Sequence, residues 1–200
     1  MELRGPTLTL RYPAQEDAEQ LLAQAADAQV TKWFSWGPYT HVDQPRTWIA
    51  QQEQRRNDGV QIDFVIDHAE HGVIGVIGLT ELSARDRRAI VGTWIGREHW
   101  GTGVNDEAKA LIVHLAFAVC GMERVSAYAN PDNGRSVRAL EKIGFRLEGT
   151  LRGWHRHADR QLDVNIVGLL KDEWRDGAGR LSAMEVETSG LPPTAWLVAG

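Results

Sequence analysis

Cysteine is almost missing from this chain. Cys120 stands alone among 200 residues, so no internal disulfide can form, and its place near the end of an apolar helical stretch marks it as a small buried hydrophobe. Long apolar runs are missing too: no segment approaches the ~20 residues that a membrane-spanning helix requires, and no membrane partner is expected. Residues 1–12 are too polar for a secretory leader and lack a small-residue cleavage pattern, so a cytoplasmic location is expected. Basic clusters are also absent. With 22 Lys and Arg against 27 Asp and Glu, the net charge is -5, which argues against sequence-independent binding of nucleic acid. No internal repeat is present. What remains is 42% hydrophobic and 24% charged, the balance of a globular chain long enough for one domain with a full core.

The apolar pattern orders the elements. Residues 7–12 alternate Leu8, Leu10 and Tyr12 on one face of a strand that Pro13 ends. Residues 15–27 set Ala18, Leu21, Leu22 and Ala25 at helical spacing. After a Trp-rich stretch, Asp43 is placed to cap a helix running to about Arg56, with Pro45 tolerated in its first turn. Three strand-like runs, residues 61–67, 73–82 and 89–96, are joined by polar links and predict an antiparallel meander. Residues 104–119 form the clearest helix, with Val104, Ala108, Leu111, Ile112, Leu115, Ala116 and Val119 on one stripe and Gly121 as its stop. A short strand at 124–129 and a short helix at 133–143 follow, with Gly144 as C-terminal glycine. Two further strands, about 145–154 and 162–170, flank a polar loop. This order predicts a mixed α/β (α+β) domain over residues 1–175, with the strands on either side of helix 104–119 parallel through a right-handed crossover. Residues 176–200 read as a less ordered tail whose Leu191-Pro192-Pro193 and Trp196-Leu197-Val198 would pack on the domain or on a partner.

One loop carries chemistry. Trp100-Gly101-Thr102-Gly103-Val104-Asn105 leads straight into the long helix. The first amides of a helix have no intrahelical acceptor and carry partial positive charge, and glycines let a phosphate approach the backbone. Taken alone the loop is either a tight turn or an anion site. The third glycine of a dinucleotide fingerprint is replaced by Asp106, and the Gly-Lys-Ser/Thr of a nucleoside-triphosphate loop is absent, which leaves a pyrophosphate binder of another architecture. About 30 residues on, Asn133 caps the next helix, Ser136 lies in its first turn, and Gly144-Phe145 ends it.

Together these segments resemble the GCN5-related N-acetyltransferase family, and within it the branch that acetylates ribosomal-protein N-termini. The residues that carry the resemblance run from Trp100 through Lys109, then Asn133 and Ser136, then Leu140 through Gly149, supported by Leu8 to Arg11 and by Asp163 to Trp174. The resemblance implies a mixed, splayed sheet of six to seven strands flanked by helices, with acetyl-CoA as cosubstrate lying in the splay. Its pyrophosphate would sit on Gly101, Thr102 and Gly103, with Trp100, Val104 and Asn105 beside it. Its pantetheine would run along Trp94, Ile95 and Gly96, within reach of Asn133. Two departures stand out. Glu98 occupies the place of the family's Gln or Arg, so its side chain is expected to turn away. Leu140 replaces the family's proton-donating tyrosine, a part that Ser136 takes in the N-terminal-acetylating branch.

The implied reaction is acetyl transfer to a primary amine, either a protein N-terminus or a small molecule. A free thiol has pKa ≈ 8.5, so the thiolate is a fair leaving group and Ser136 is a useful acid rather than an essential one. Backbone amides around Trp94 to Gly96 would stabilise the oxyanion. Glu81, at a strand end, is the carboxylate best placed as base, or else simply faces water. Trp33, Trp36 and Tyr39 form either an acceptor wall or a loop packed onto the core. His155, His157 and Asp159 fall in a polar loop without a fourth ligand, so no metal is expected. Transfer of a bulkier acyl group such as succinyl, and a non-catalytic CoA-binding module, stay open, as does a homodimer.

Overall fold

The computed structural model describes residues 1–157, 159–175 and 184–197. The remaining parts of the expected tail, residues 176–183 and 198–200 with Val198, lie outside the described residues. In chain order come β1 (Glu2–Arg4), β2 (Leu8–Arg11), α1 (Ala18–Ala25), α2 (Ala28–Thr31), α3 (Asp43–Asn57), β3 (Gln61–His68), β4 (Gly72–Ser83) and β5 (Arg88–Ile95). Then follow α4 (Val104–His114), β6 (Arg124–Ala129), α5 (Gly134–Lys142), β7 (Arg146–His157), β8 (Arg160–Leu170), α6 (Lys171–Arg175) and β9 (Glu187–Ser189). The apolar stripe of α4 continues through a π-helical turn, Leu115–Val119. Among the described residues, no helix is long and apolar enough to cross a membrane.

The strands make one sheet in the order β7-β8-β6-β5-β4-β3-β2-β1-β9. All neighbours are antiparallel except β5 and β6, which the α4 crossover makes parallel, as the strand-helix-strand pattern required. Alternation assigns the faces. Ile62, Phe64 and Ile66 of β3 turn to the large core with Leu111, Ile112 and Leu115 of α4, while Val65 turns to Leu21 of α1 and Ile49 of α3. A bulge shifts the β3–β4 register between Ile66 and Asp67, so β4 changes parity there and still sends Ile77 and Leu79 to the large core. Glu107 fixes α4 to this sheet by accepting from the Thr7 and Leu8 amides at 2.8 Å each and from the Thr7 hydroxyl at 2.6 Å. Cys120 is buried, and burial pushes its thiol up to about 12, so it packs and does not react.

Four expectations change. The sheet has nine strands rather than six or seven, because β1 and β9 are three residues each, too short to show a period of two. The described part of the C-terminal segment is integrated: β9 pairs with β1, and Trp196 is fully buried with its Nε1 donating to the Arg56 carbonyl at 2.8 Å. Asp43 opens α3 without a capping bond, and Gln44 instead accepts from the Thr40 and His41 amides through its side chain. His155 and His157 lie on β7, not in a loop, because the β7–β8 hairpin pairs as far as His157↔Arg160. Replacing the buried indole by a methyl group leaves a cavity and removes one of the donors to the Arg56 carbonyl. Trp196→Ala is therefore expected to lower unfolding free energy by about 3–5 kcal/mol in urea titrations.

Candidate active site

The site begins where two strands part. β5 and β6 share only Arg88↔Arg124, Ala89↔Val125 and Ile90↔Ser126. Beyond Ile90 they diverge, yet β5 stays on β4 as far as Gly75↔Ile95 and β6 stays on β8 as far as Ala129↔Asn165. A cleft of about 480 Å³ opens between them. The Gly96 amide donates to the Ile74 carbonyl at 2.8 Å. Antiparallel pairing alternates, so the Trp94 amide also faces β4 and the backbone groups of Thr93 and Ile95 face the cleft. Trp100 Nε1 reaches the Ile95 carbonyl there at 2.8 Å. The Thr93 hydroxyl, on a cleft-lining residue, is buried without a partner among the described residues.

At one end of the cleft lies the glycine loop. Gly101 has φ +82° and Gly103 φ +99°, a backbone region that side chains rarely adopt, and open space surrounds both Cα atoms. The Thr102 hydroxyl ties the loop to the His99 carbonyl at 2.8 Å. The amides of Gly101, Thr102, Gly103, Val104 and Asn105 find no acceptor among the described residues. Cations gather beside them. The Arg135 guanidinium lies 3.2 Å from the centroid of the Trp100 ring, and Arg138 and Lys142 line the same wall. Lys142 pairs with Asp106. Lys109 is buried, with its Nζ bonded to Asn105, and burial lowers its amine to about 8. Unused amides, no Cβ in the way and several cations together fit a pyrophosphate.

Away from the loop stand Tyr128, His155 and His157, and Trp33 and Phe34 also line the cleft. The Tyr128 hydroxyl donates to Glu81 Oε2 at 3.4 Å. Between the ends, Asn133 caps α5 by accepting from the Ser136 amide at 3.3 Å, which leaves its side-chain NH₂ free to donate.

Comparison with known proteins bears on this geometry. The family described as Acetyltransferase (GNAT) domain matches residues 7–146. The chain belongs to the GNAT acetyltransferase family. The uncharacterised N-acetyltransferase p20 of Bacillus licheniformis is 33% identical over 168 residues, 84% of this chain and 94% of that protein. The ribosomal-protein-serine acetyltransferase of Escherichia coli (strain K12) is 27% identical over 103 residues, 52% of this chain and 58% of its own length. A crystal structure of a GCN5-related N-acetyltransferase from Brucella melitensis superposes with a TM-score of 0.82 at 23% identity, covering 92% of this chain and 84% of that one, and shows the same fold.

The cleft collects most of the residues expected from sequence, and not all. Trp94, Ile95, Trp100, Gly101, Gly103, Asn105, Asn133, Ser136 and Trp33 line it. Thr102 and Val104 belong to the loop but stand behind its lining. Gly96 gives its amide to β4 and lies against the Gln24 side chain, so the amides open to the cleft belong to Thr93 and Ile95 instead. Glu98 turns to Gln24 Nε2 at 3.2 Å, outside the lining. Trp36 and Tyr39 pack against each other at 5.2 Å, and Trp36 meets Trp94 edge-on at 5.8 Å, so these rings brace the wall from behind. Glu81 is likewise set back, behind Tyr128. Among the described residues, no cluster of His, Cys, Asp and Glu fits a metal ion. Sequence reading missed Tyr128, Lys109 and Arg135, and placed His155 in a loop rather than on the cleft wall. Lys109 interrupts the apolar face of α4 between Ala108 and Ala110, a signal available in the sequence.

Two expected outcomes follow from the loop. Gly103→Val, which places a β-branched side chain at φ +99° among the free amides, should abolish CoA binding in calorimetry while circular dichroism stays native. The Lys109 amine loses its charge through about pH 8, and a bound diphosphate favours the charged form. CoA affinity should therefore be highest below pH 8 and fall as pH rises through it. Lys109→Met should bind more weakly at pH 7 and show no such fall.

Proposed function

We propose that this acetyltransferase moves the acetyl group of acetyl-CoA to a primary amine by direct attack, within the cleft between β5 and β6. The observation that carries the reading is the continuity of that cleft. It runs from the acceptor-free amides of the glycine loop, past the open Thr93 and Ile95 backbone, to a polar end at Tyr128 and His155. The loop amides with Arg135, Arg138 and Lys142 hold the pyrophosphate, and the Asn133 side chain with the free β5 backbone holds the amide-bearing arm as a strand would. The bound thioester supplies an activated carbonyl and a thiolate leaving group.

The chain's own groups serve the two ends of that exchange. The open amides of β5 point at the carbonyl oxygen, where they oppose developing negative charge. Ser136 lines the cleft on the first turn of α5 and passes a proton to the departing sulfur. Leu140, one turn on and buried, can only pack. Glu81 acts on the acceptor side from behind Tyr128, where its carboxylate favours a cationic amine entering the site. The acceptor is a protein N-terminus or a small-molecule amine. The resemblance to the ribosomal-protein-serine acetyltransferase favours the former.

Free-thiol release from acetyl-CoA, measured across N-terminal peptides and small amines, tests the reading. Release that depends on an acceptor is expected, and tight CoA binding with no turnover of any acceptor would leave a binding module. Ser136→Ala is expected to lower kcat by up to about 10²-fold while CoA affinity is kept. A wild-type rate at every pH would remove the serine from the mechanism.

A further inference from the structure

The acceptor end of the cleft holds a cluster that the reaction as stated leaves unused. His155 lies on β7 and Tyr128 on β6, with β8 between them in the sheet, yet their rings meet edge-on at 5.8 Å. A wide irregularity in β7 makes this contact. The register passes from Leu151↔Val164 to His155↔Leu162, and in the gap Gly153 takes φ +57° with its amide on Asp163 Oδ1 at 2.7 Å. A second irregularity faces it from β4. Glu81 has φ +49°, rare for a residue with a side chain, and the β4–β5 ladder breaks between Thr80 and Ser83. The Tyr128 hydroxyl then donates to the Glu81 carboxylate. Two separate departures from regular strand geometry thus bring Glu81, Tyr128 and His155 together at the cleft mouth.

We infer that His155 is the general base of the acyl transfer, with Tyr128 and Glu81 as its positioning residues and a primary ammonium as the species they receive. This rests on the acetyl-transfer reading above. The groups facing the imidazole are Tyr128 from β6, Glu81 from β4 and His157 on its own strand, with ring centroids 6.5 Å apart. Arg88 of β5 acts on the Tyr128 end. Burial, and then His157, hold the His155 ring below its ordinary range, while Glu81 opposes them. The imidazole is therefore neutral at pH 7 and has a lone pair to offer. The phenol of Tyr128 is held protonated by burial and by Glu81, so it orients and does not titrate in this range.

An α-amine of pKa ≈ 8 arrives mostly as the ammonium at pH 7. One of its protons passes to the His155 ring and from there to solvent, which frees the nitrogen lone pair to form the C–N bond. The second N–H proton is released once that bond exists and ends on sulfur by way of Ser136 as the C–S bond breaks. Ammonium and thioester thus give amide, thiol and one proton.

The test pairs kinetics with a titration of the ring. Wild-type kcat/KM should fall as pH drops through the His155 titration, and imidazole NMR of the enzyme without substrates should give the same midpoint, below the usual 6.5. His155→Gln should lose that acid limb and about 10²-fold or more in kcat at pH 7, recover toward pH 9, and keep its CoA affinity. Glu81→Gln removes a nearby negative charge, so both the limb and the NMR midpoint should move to lower pH together. Tyr128→Phe should broaden or shift the ring resonance while an acid limb remains. An acid limb at the wild-type ring's midpoint that survives in His155→Gln, or a ring midpoint indifferent to Glu81→Gln, overturns the assignment and leaves acetyl transfer standing. Absence of acceptor-dependent thiol release in the wild type overturns both.

Discussion

The seam between β5 and β6 is the constraint on which the rest depends. It is closed by three pairs and then abandoned, while β5 stays paired with β4 and β6 with β8 beyond that point. A parallel seam requires a long crossover, and α4 supplies it. The same crossover places the N-terminus of α4, with its free amides, at the mouth of the gap it has just created. The gap and the anion site are therefore one consequence of one connection. Buried backbone groups without partners are costly, so an open seam in the middle of a nine-stranded sheet is stable only where something polar fills it, whether water or a ligand.

Around the seam the fold spends rigidity on both sides. Glu107 bonds α4 to the start of β2 through two amides and a hydroxyl, which holds the glycine loop in register with the sheet. Trp100 ties the loop to the Ile95 carbonyl, and Arg135 of α5 lies over its ring, so loop, strand and the later helix α5 are joined through one side chain. On the far side, the Trp36 and Tyr39 rings brace the wall behind Trp94, and the short β1 carries β9 and with it the C-terminal segment that ends in buried Trp196. Charge is placed with the same economy. Lys109 is buried with a neutral partner, a state that is unfavourable in isolation and that an arriving diphosphate relieves. At the Tyr128 end the arrangement is reversed, with the exposed Glu81 carboxylate beside the Tyr128 hydroxyl and the His155 ring next to it.

Local pattern determined much of this chain: the helix of residues 104–119 from its stripe, the three-strand meander from its alternation, the glycine loop from its position at a helix start, and Asn133 and Ser136 as the cap and first turn of the next helix. Each depends on neighbours within a few residues, which is what periodicity and capping report. The tertiary structure alone decided the rest. That Gly96 serves β4 while Thr93 and Ile95 face the cleft follows from which neighbour each amide bonds, a matter of register between strands. That Trp36 and Tyr39 brace the wall while Trp33 lines it depends on where a loop packs. That Glu81, Tyr128 and His155 meet depends on two irregular strands approaching β6, β7 across β8 and β4 across β5, and no spacing along the chain encodes a contact made over such separations. The sequence determined the glycine loop that opens α4, because helix starts are local; only the folded sheet decided what lies at the other end of the cleft, because that end is assembled from strands that are not neighbours in the sheet.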